Sequence, residues 1–150
     1  MLKVGDQAPE ISVHTDTGED FRLSALKGKR VVLYFYPKAD TPGCTVEACE
    51  FRDGLKGFAG KGAAIVGISP DKPAAQAKFK QKYELPFTLL ADEQKAAAEA
   101  YGVWKEKIMY GRKTMGIERT TFVISPEGKI ERIYGKVKAK GHAAEVLAEL

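Results

Sequence analysis

Cysteine and histidine are scarce in this 150-residue chain: the only thiols are Cys44 and Cys49, and the only imidazoles are His14 and His142. A four-ligand zinc site would need all four, yet they are scattered and lack paired metal-ligand spacing, so no metal is expected. A Cys-x-x-Cys pair is also missing; the gap is Cys-x4-Cys. Long apolar runs are absent, the longest being the six residues Val31 to Tyr36. A membrane-spanning helix needs about 20. The opening Met1-Leu2-Lys3-Val4-Gly5-Asp6 has no apolar stretch of signal-peptide length, so the expected location is the cytoplasm. A cytosolic chain has little reason to carry a structural disulfide. The two thiols are therefore either small buried hydrophobes or reactive groups, and their setting must decide.

Hydrophobic residues make up 44% and charged residues 29%, an ordinary globular balance for one domain spanning residues 1–150. No internal repeat, linker or low-complexity segment interrupts it. The net charge of +4 is uneven, because residues 101–142 hold ten Lys or Arg against four Glu. Such an excess suits nucleic acid or a solvated lysine-rich surface. No zinc-finger spacing or aromatic RNA-binding signature accompanies it, so the solvated surface is expected, with no nucleic-acid partner.

The pattern predicts an α/β chain. Ile11-Ser12-Val13-His14 and Phe21-Arg22-Leu23 alternate around a turn at Asp16-Thr17-Gly18, a small N-terminal hairpin. Val31 to Tyr36 and Ala63 to Ser69 read as strands buried on both faces. Between them, Cys44 to Phe58 is expected as a helix, with Val46, Phe51, Leu55 and Phe58 on its apolar side. Glu47 and Glu50 lie in its early turns, where acids suit the helix dipole. Pro73 opens a helix to about Lys82, Phe87 to Leu90 is a short strand, and Asp92 caps a helix over 95–101. Thr120 to Ile124 and Lys129 to Tyr134 form a strand pair, and 142–150 a last helix. This order implies a mixed sheet sandwiched by helices, the outline of a thioredoxin-like fold. Ligand sites in open α/β sheets lie beyond the carboxyl ends of strands, which points to the loop from Tyr36 to Cys44.

Cys44 is expected at a helix start, where unpaired backbone N–H groups present positive potential and favour the nucleophilic thiolate. In one intact helix, five residues separate Cα atoms by about 8.6 Å, beyond the roughly 7 Å a disulfide tolerates. A Cys44–Cys49 disulfide therefore requires the helix to unwind. Gly54, Gly57, Gly60 and Gly62 either weaken this helix or simply end it.

The stretch Phe35-Tyr36-Pro37-Lys38-Ala39-Asp40-Thr41-Pro42-Gly43-Cys44-Thr45-Val46-Glu47-Ala48-Cys49 resembles the active-site segment of peroxiredoxins, with their Pro-x3-Thr-x2-Cys pattern at Pro37, Thr41 and Cys44. Cys49 five residues later is similar to the bacterioferritin-comigratory (Q-type) branch. The likeness starts at Val4-Gly5-Asp6-Gln7-Ala8-Pro9. It runs through Gly67-Ile68-Ser69 and Tyr101-Gly102-Val103-Trp104 to Gly116-Ile117-Glu118-Arg119-Thr120-Thr121-Phe122, which resembles the segment bearing the family's catalytic Arg.

The resemblance implies a thiol peroxidase. Cys44 would attack the peroxide and become a sulfenic acid. Cys49 would condense with it to an intrachain disulfide, which thioredoxin or a similar dithiol would reduce. No metal, haem or flavin is implied. Thr41 and Arg119 would bind peroxide and favour the thiolate, with Pro37 shaping the loop; Arg112 is the substitute for Arg119. Glu47 would either orient Arg119 or stand solvated. The bland alternative for Thr41 is a loop residue that caps the helix; Trp104 is expected as core or pocket wall, and His14 and His142 as surface histidines. A monomer, or at most a weak dimer, is expected, since there is no C-terminal arm with a third cysteine. The competing functions are a thiol–disulfide oxidoreductase, a glutathione-peroxidase-like enzyme, a redox sensor that hands its oxidation to a partner, and a nucleic-acid binder.

Overall fold

The computed structural model describes residues 2–150. Nine strands and five α-helices alternate along the chain: β1 (Ser12–Thr15), β2 (Asp20–Arg22), β3 (Arg30–Phe35), α1 (Pro42–Asp53), α2 (Leu55–Gly60), β4 (Ala63–Ser69), α3 (Pro73–Tyr83), β5 (Thr88–Ala91), α4 (Ala96–Ala100), β6 (Trp104–Met109), β7 (Arg112–Ile117), β8 (Thr120–Ile124), β9 (Ile130–Tyr134) and α5 (His142–Glu149). Seven strands form one mixed sheet in the order β2-β1-β5-β4-β3-β8-β9. The β3–β4 and β4–β5 pairs are parallel, each joined by a βαβ crossover, and the remaining pairs are antiparallel. This is a thioredoxin-like α/β sandwich. Among the described residues, no helix is long and apolar enough to cross a membrane.

Strand β3 is central, and its side chains alternate between two cores. Val31, Leu33 and Phe35 face the layer completed by α4, with Tyr101, Val103 and Ile117. Val32 and Tyr34, with Tyr36 just beyond, face the layer built from α1, α2, α3 and α5. Period-two burial on both faces explains the unbroken apolar run. Gly67 on β4 leaves room for a neighbour's ring: a Cβ there would lie 2.9 Å from the Tyr34 ring and hydroxyl.

The expected helix from Cys44 to Phe58 starts two residues earlier and is cut in two at Gly54. Pro42 takes the first helical position, where its missing N–H costs nothing. The glycines do not soften α1 between the cysteines. Gly54 ends it, and Gly57 sits where a Cβ would lie 2.7 Å from Leu147 of α5. Its apolar stripe is Cys44, Ala48 and Phe51, continued by Phe58 on α2. Val46 is exposed instead, because two residues rotate it about 200° away from Cys44.

One further reading changes. Residues 104–117, assigned no strands from the pattern, form the β6–β7 hairpin, paired to each other and not to the main sheet. Its exposed, Lys-rich faces give no alternation of apolar and polar residues. Asp92 does cap α4, accepting the Ala97 and Ala98 N–H groups at 3.1 and 2.9 Å.

Candidate active site

The site forms where β3 and β8 lie side by side. Phe35 pairs with Thr120, so the carboxyl end of β3 meets the start of β8. The chain leaving β3 turns through Pro37–Thr41 into α1, and Arg119 immediately precedes β8. Residues 75 positions apart are thereby brought into contact. The Arg119 Nη2 donates to Cys44 Sγ at 3.3 Å, and Nη1 donates to Glu47 Oε1 at 2.7 Å. The guanidinium thus bridges thiol and carboxylate with its two amino ends, a geometry open to Arg and closed to Lys.

Gly43 makes that approach possible. A Cβ at this position would sit 3.1 Å from Arg119 Nη2. The motif's glycine is needed for the arginine beside it, a role invisible in the sequence.

Cys44 is the third residue of α1, and Thr41 is the N-cap. The first helical bond runs from Thr45 N to Thr41 O at 2.8 Å. The N–H groups of Gly43 and Cys44 have no acceptor among the described residues, so they point their dipoles past the helix start. Thr41 does not cap the helix with its side chain; its hydroxyl donates to Lys38 O at 2.8 Å. Pro37 is half-buried at the head of the loop, next to the fully buried Tyr36. Asp71 anchors the same loop by accepting Ala39 N at 2.7 Å. It belongs to a buried network: Ser69 Oγ donates to Asp71, Gln76 Nε2 donates to Ser69 and Leu90 O, and Tyr36 OH donates to Gln76. Tyr36 and Ser69 lie in segments that carry the resemblance, but Asp71 and Gln76 have no sequence motif.

Both cysteines are free and share one intact helix, Cys44 buried and Cys49 half-buried. They lie on different sides of it, about 140° apart. Arg112 is exposed at the start of β7 and has no part in this constellation. Trp104 packs against the core on the α4 side, with Lys95 over its ring. His14 is exposed, but His142 is not a surface histidine. It is buried, and its Nε2 lies 2.7 Å from Thr121 Oγ1.

Glu47 is not the solvated, dipole-facing acid of an early turn. It is fully buried; one oxygen holds Arg119 and the other has no partner among the described residues. Burial pushes its carboxyl up to about 7 against the opposing pull of Arg119. Burial works against the Arg119 charge as well, but Glu47 and Cys44 outweigh it and raise its pKa. The folded state therefore holds the Glu47 proton more tightly than the unfolded chain, with its ordinary value of 4.5. That contribution to stability is present in acid and lost as pH rises through the folded value. Burial pulls His142 down, so its contribution runs the other way and is lost as pH falls. The Glu47→Gln variant isolates the first effect. Between about pH 5 and about pH 8, urea melts of the wild type should lose up to about 3 kcal/mol more than those of the variant. Equal losses would contradict the assignment.

The chain is similar to known proteins over nearly its whole length. Residues 4–133 match the AhpC/TSA family. The chain is 50% identical over 149 residues to Peroxiredoxin Bcp of Bacillus subtilis (strain 168), covering 99% of this chain and 95% of that one. It is 44% identical over 146 residues to Peroxiredoxin Bcp of Escherichia coli (strain K12), covering 97% and 94%. The solved Xanthomonas campestris bacterioferritin comigratory protein superposes with a TM-score of 0.89 at 41% identity, over 93% of this chain and 88% of that one. A Xylella fastidiosa PrxQ variant superposes at 0.94 and 34% identity, over 99% and 95%. Matched over nearly its whole length by these relatives and over residues 4–133 by the family, the chain belongs to the AhpC/TSA family, among the bacterioferritin-comigratory (Q-type) peroxiredoxins.

Proposed function

We propose that Cys44 is the peroxidatic cysteine of this thiol peroxidase and Cys49 the resolving one. The observation that carries the reading is the Arg119 guanidinium, which donates to Cys44 Sγ while pinned by buried Glu47. A cation at the sulfur bonds the thiolate more strongly than the thiol, and the thiolate is the nucleophile. Sulfur attacks the nearer peroxide oxygen, the O–O bond breaks, and the leaving oxygen departs with the electron pair as hydroxide or alkoxide. That charge develops beside Arg119 and the free N–H groups of Gly43 and Cys44, which need no reorganisation to receive it. The Thr41 hydroxyl, its proton committed to Lys38 O, offers lone pairs to the peroxide O–H.

The Cys44 sulfenic acid then condenses with the Cys49 thiol, releasing water and forming the disulfide. Since α1 holds both residues, its turns must open first. A thioredoxin-type dithiol restores the thiols. The relative from Xanthomonas campestris is described by its alkyl peroxide reduction activity, which supports organic hydroperoxides as well as hydrogen peroxide as substrates here. The proposed working form is a cytoplasmic monomer. Its exposed basic side chains, Arg112, Lys113, Lys129, Arg132, Lys136, Lys138 and Lys140, are read as a solvated surface with no nucleic-acid role.

Multiple turnover separates this reading from a redox sensor. With excess hydroperoxide and a thioredoxin system, the wild type should consume many equivalents of peroxide. Cys49→Ser should stop after the one to three equivalents that oxidise Cys44 itself, unless a small thiol is added. A wild type that stops after one equivalent and persists as a mixed disulfide would support the sensor instead.

A further inference from the structure

Two neighbouring residues at the end of α3 hold both ends of the segment that carries the cysteines. Upstream, Asp40 takes a left-handed conformation (φ 59°) four residues before Cys44. Its carboxylate accepts Tyr83 OH at 2.7 Å and Lys82 Nζ at 2.9 Å. Those two donors hold its carboxyl below the ordinary range. Downstream, Arg52 lies three residues after Cys49, and its Nη1 donates to the Tyr83 carbonyl at 2.7 Å. Tyr83 itself is half-buried against the core, its ring edge-on to Phe79 at 5.6 Å, and Phe79 in turn meets Tyr36. The Tyr83 side chain thus grips the loop before α1, while its backbone grips the last turn of α1.

Pins at both ends matter because unwinding lengthens the chain. Residues 42–50 span about 13 Å as helix and up to about 30 Å when extended. With both ends tied to one tyrosine, the extra length must bulge outward within a closed span. We propose that Tyr83, with Lys82, Asp40 and Arg52, is a clamp that restrains the opening of α1. In this way it sets how fast Cys49 resolves the Cys44 sulfenic acid. The proposal rests on the reading of Cys44 and Cys49 as the disulfide-forming pair.

The consequence is a competition at one sulfur. The sulfenate either condenses with Cys49, losing water, or attacks a second peroxide molecule, which gives sulfinate and one further water or alcohol. Opening favours the first outcome. The clamp residues touch neither the Cys44 sulfur nor Arg119, so they act as positioning residues for the resolving step alone.

The test uses the full chain and rapid-quench mass spectrometry after mixing with hydrogen peroxide. Tyr83→Phe removes the hydroxyl from Asp40, and Arg52→Met removes the donor to Tyr83 O without changing helix propensity appreciably. Lys78→Met, at an exposed position on the same helix, is the control. Each clamp variant should speed conversion of sulfenic acid to disulfide by about three- to tenfold, the worth of one net hydrogen bond. The sulfinic fraction at a given peroxide dose should fall by a similar factor, while the rate of the first attack stays within about twofold of the control. A purely structural role would slow both steps or lower thermal stability without changing their ratio. If either clamp variant keeps the control's resolving rate and sulfinic fraction, the clamp is overturned. If the wild type forms no Cys44–Cys49 disulfide at all, the underlying reading of the two cysteines fails instead.

Discussion

Arg119→Met should slow the reaction of the reduced protein with hydrogen peroxide by about 100- to 1000-fold, the cost of removing one preorganised donor from a developing oxyanion. The loss has two sources. Cys44 Sγ no longer accepts the 3.3 Å bond from Nη2. The departing hydroxide keeps only the N–H groups of Gly43 and Cys44 beside it. Methionine is the informative replacement because it keeps the apolar stem and roughly the volume. Arg119→Lys should recover little, since a single ammonium cannot reach Cys44 and Glu47 together in the geometry of a fork. Stopped-flow rates for the three proteins decide the point. A loss smaller than about tenfold in the methionine variant would show that the helix start alone activates the thiol.

Glu47→Ala should have the largest effect on stability, lowering it by about 3–5 kcal/mol, as expected when one partner of a buried ion pair is removed. Arg119 would keep its charge in a largely closed site, with only 17% of its side chain exposed and the 2.7 Å bond to Glu47 gone. The peroxide rate should fall with it, because the guanidinium loses the contact that aims Nη2 at the sulfur. Glu47→Gln should cost less on both measures, since its carbonyl oxygen still accepts from Arg119. In a double-mutant cycle, Glu47→Gln combined with Arg119→Met should be less than additive in rate, because the carboxylate acts through the arginine. Urea melts and stopped-flow rates test both predictions. Additive rate losses would assign Glu47 a separate role.

The two central strands were legible because β3 and β4 are short, mostly apolar runs carrying β-branched residues, bounded by glycine, proline and charged residues. The reactive segment was legible because its loop, its helix start and both thiols lie within one continuous stretch, Pro37 to Cys49. Everything that depends on distant residues was harder to read. Arg119 could be matched to the site by resemblance, but its passage over Gly43 could not. Glu47 has the spacing of an ordinary helix acid, and only the packing of α1 against the sheet reveals its complete burial. The buried position of His142 depends on Thr121 from β8, and the grip on Asp40 on Lys82 and Tyr83 from α3. None of these contacts has a local pattern. The β6–β7 hairpin escaped for a different reason: a two-stranded ribbon outside the main sheet buries too little to impose alternation.

The most direct test of the central claim is the second-order rate of hydroperoxide consumption by the fully reduced protein, compared with Cys44→Ser and Cys49→Ser. Activation of Cys44 by Arg119 and the α1 start predicts a wild-type rate orders of magnitude above that of a free cysteine thiol. It also predicts that this rate vanishes in Cys44→Ser and persists for a single turnover in Cys49→Ser. A wild-type rate no faster than a free thiol, or a Cys44→Ser variant that still consumes peroxide rapidly, would contradict it.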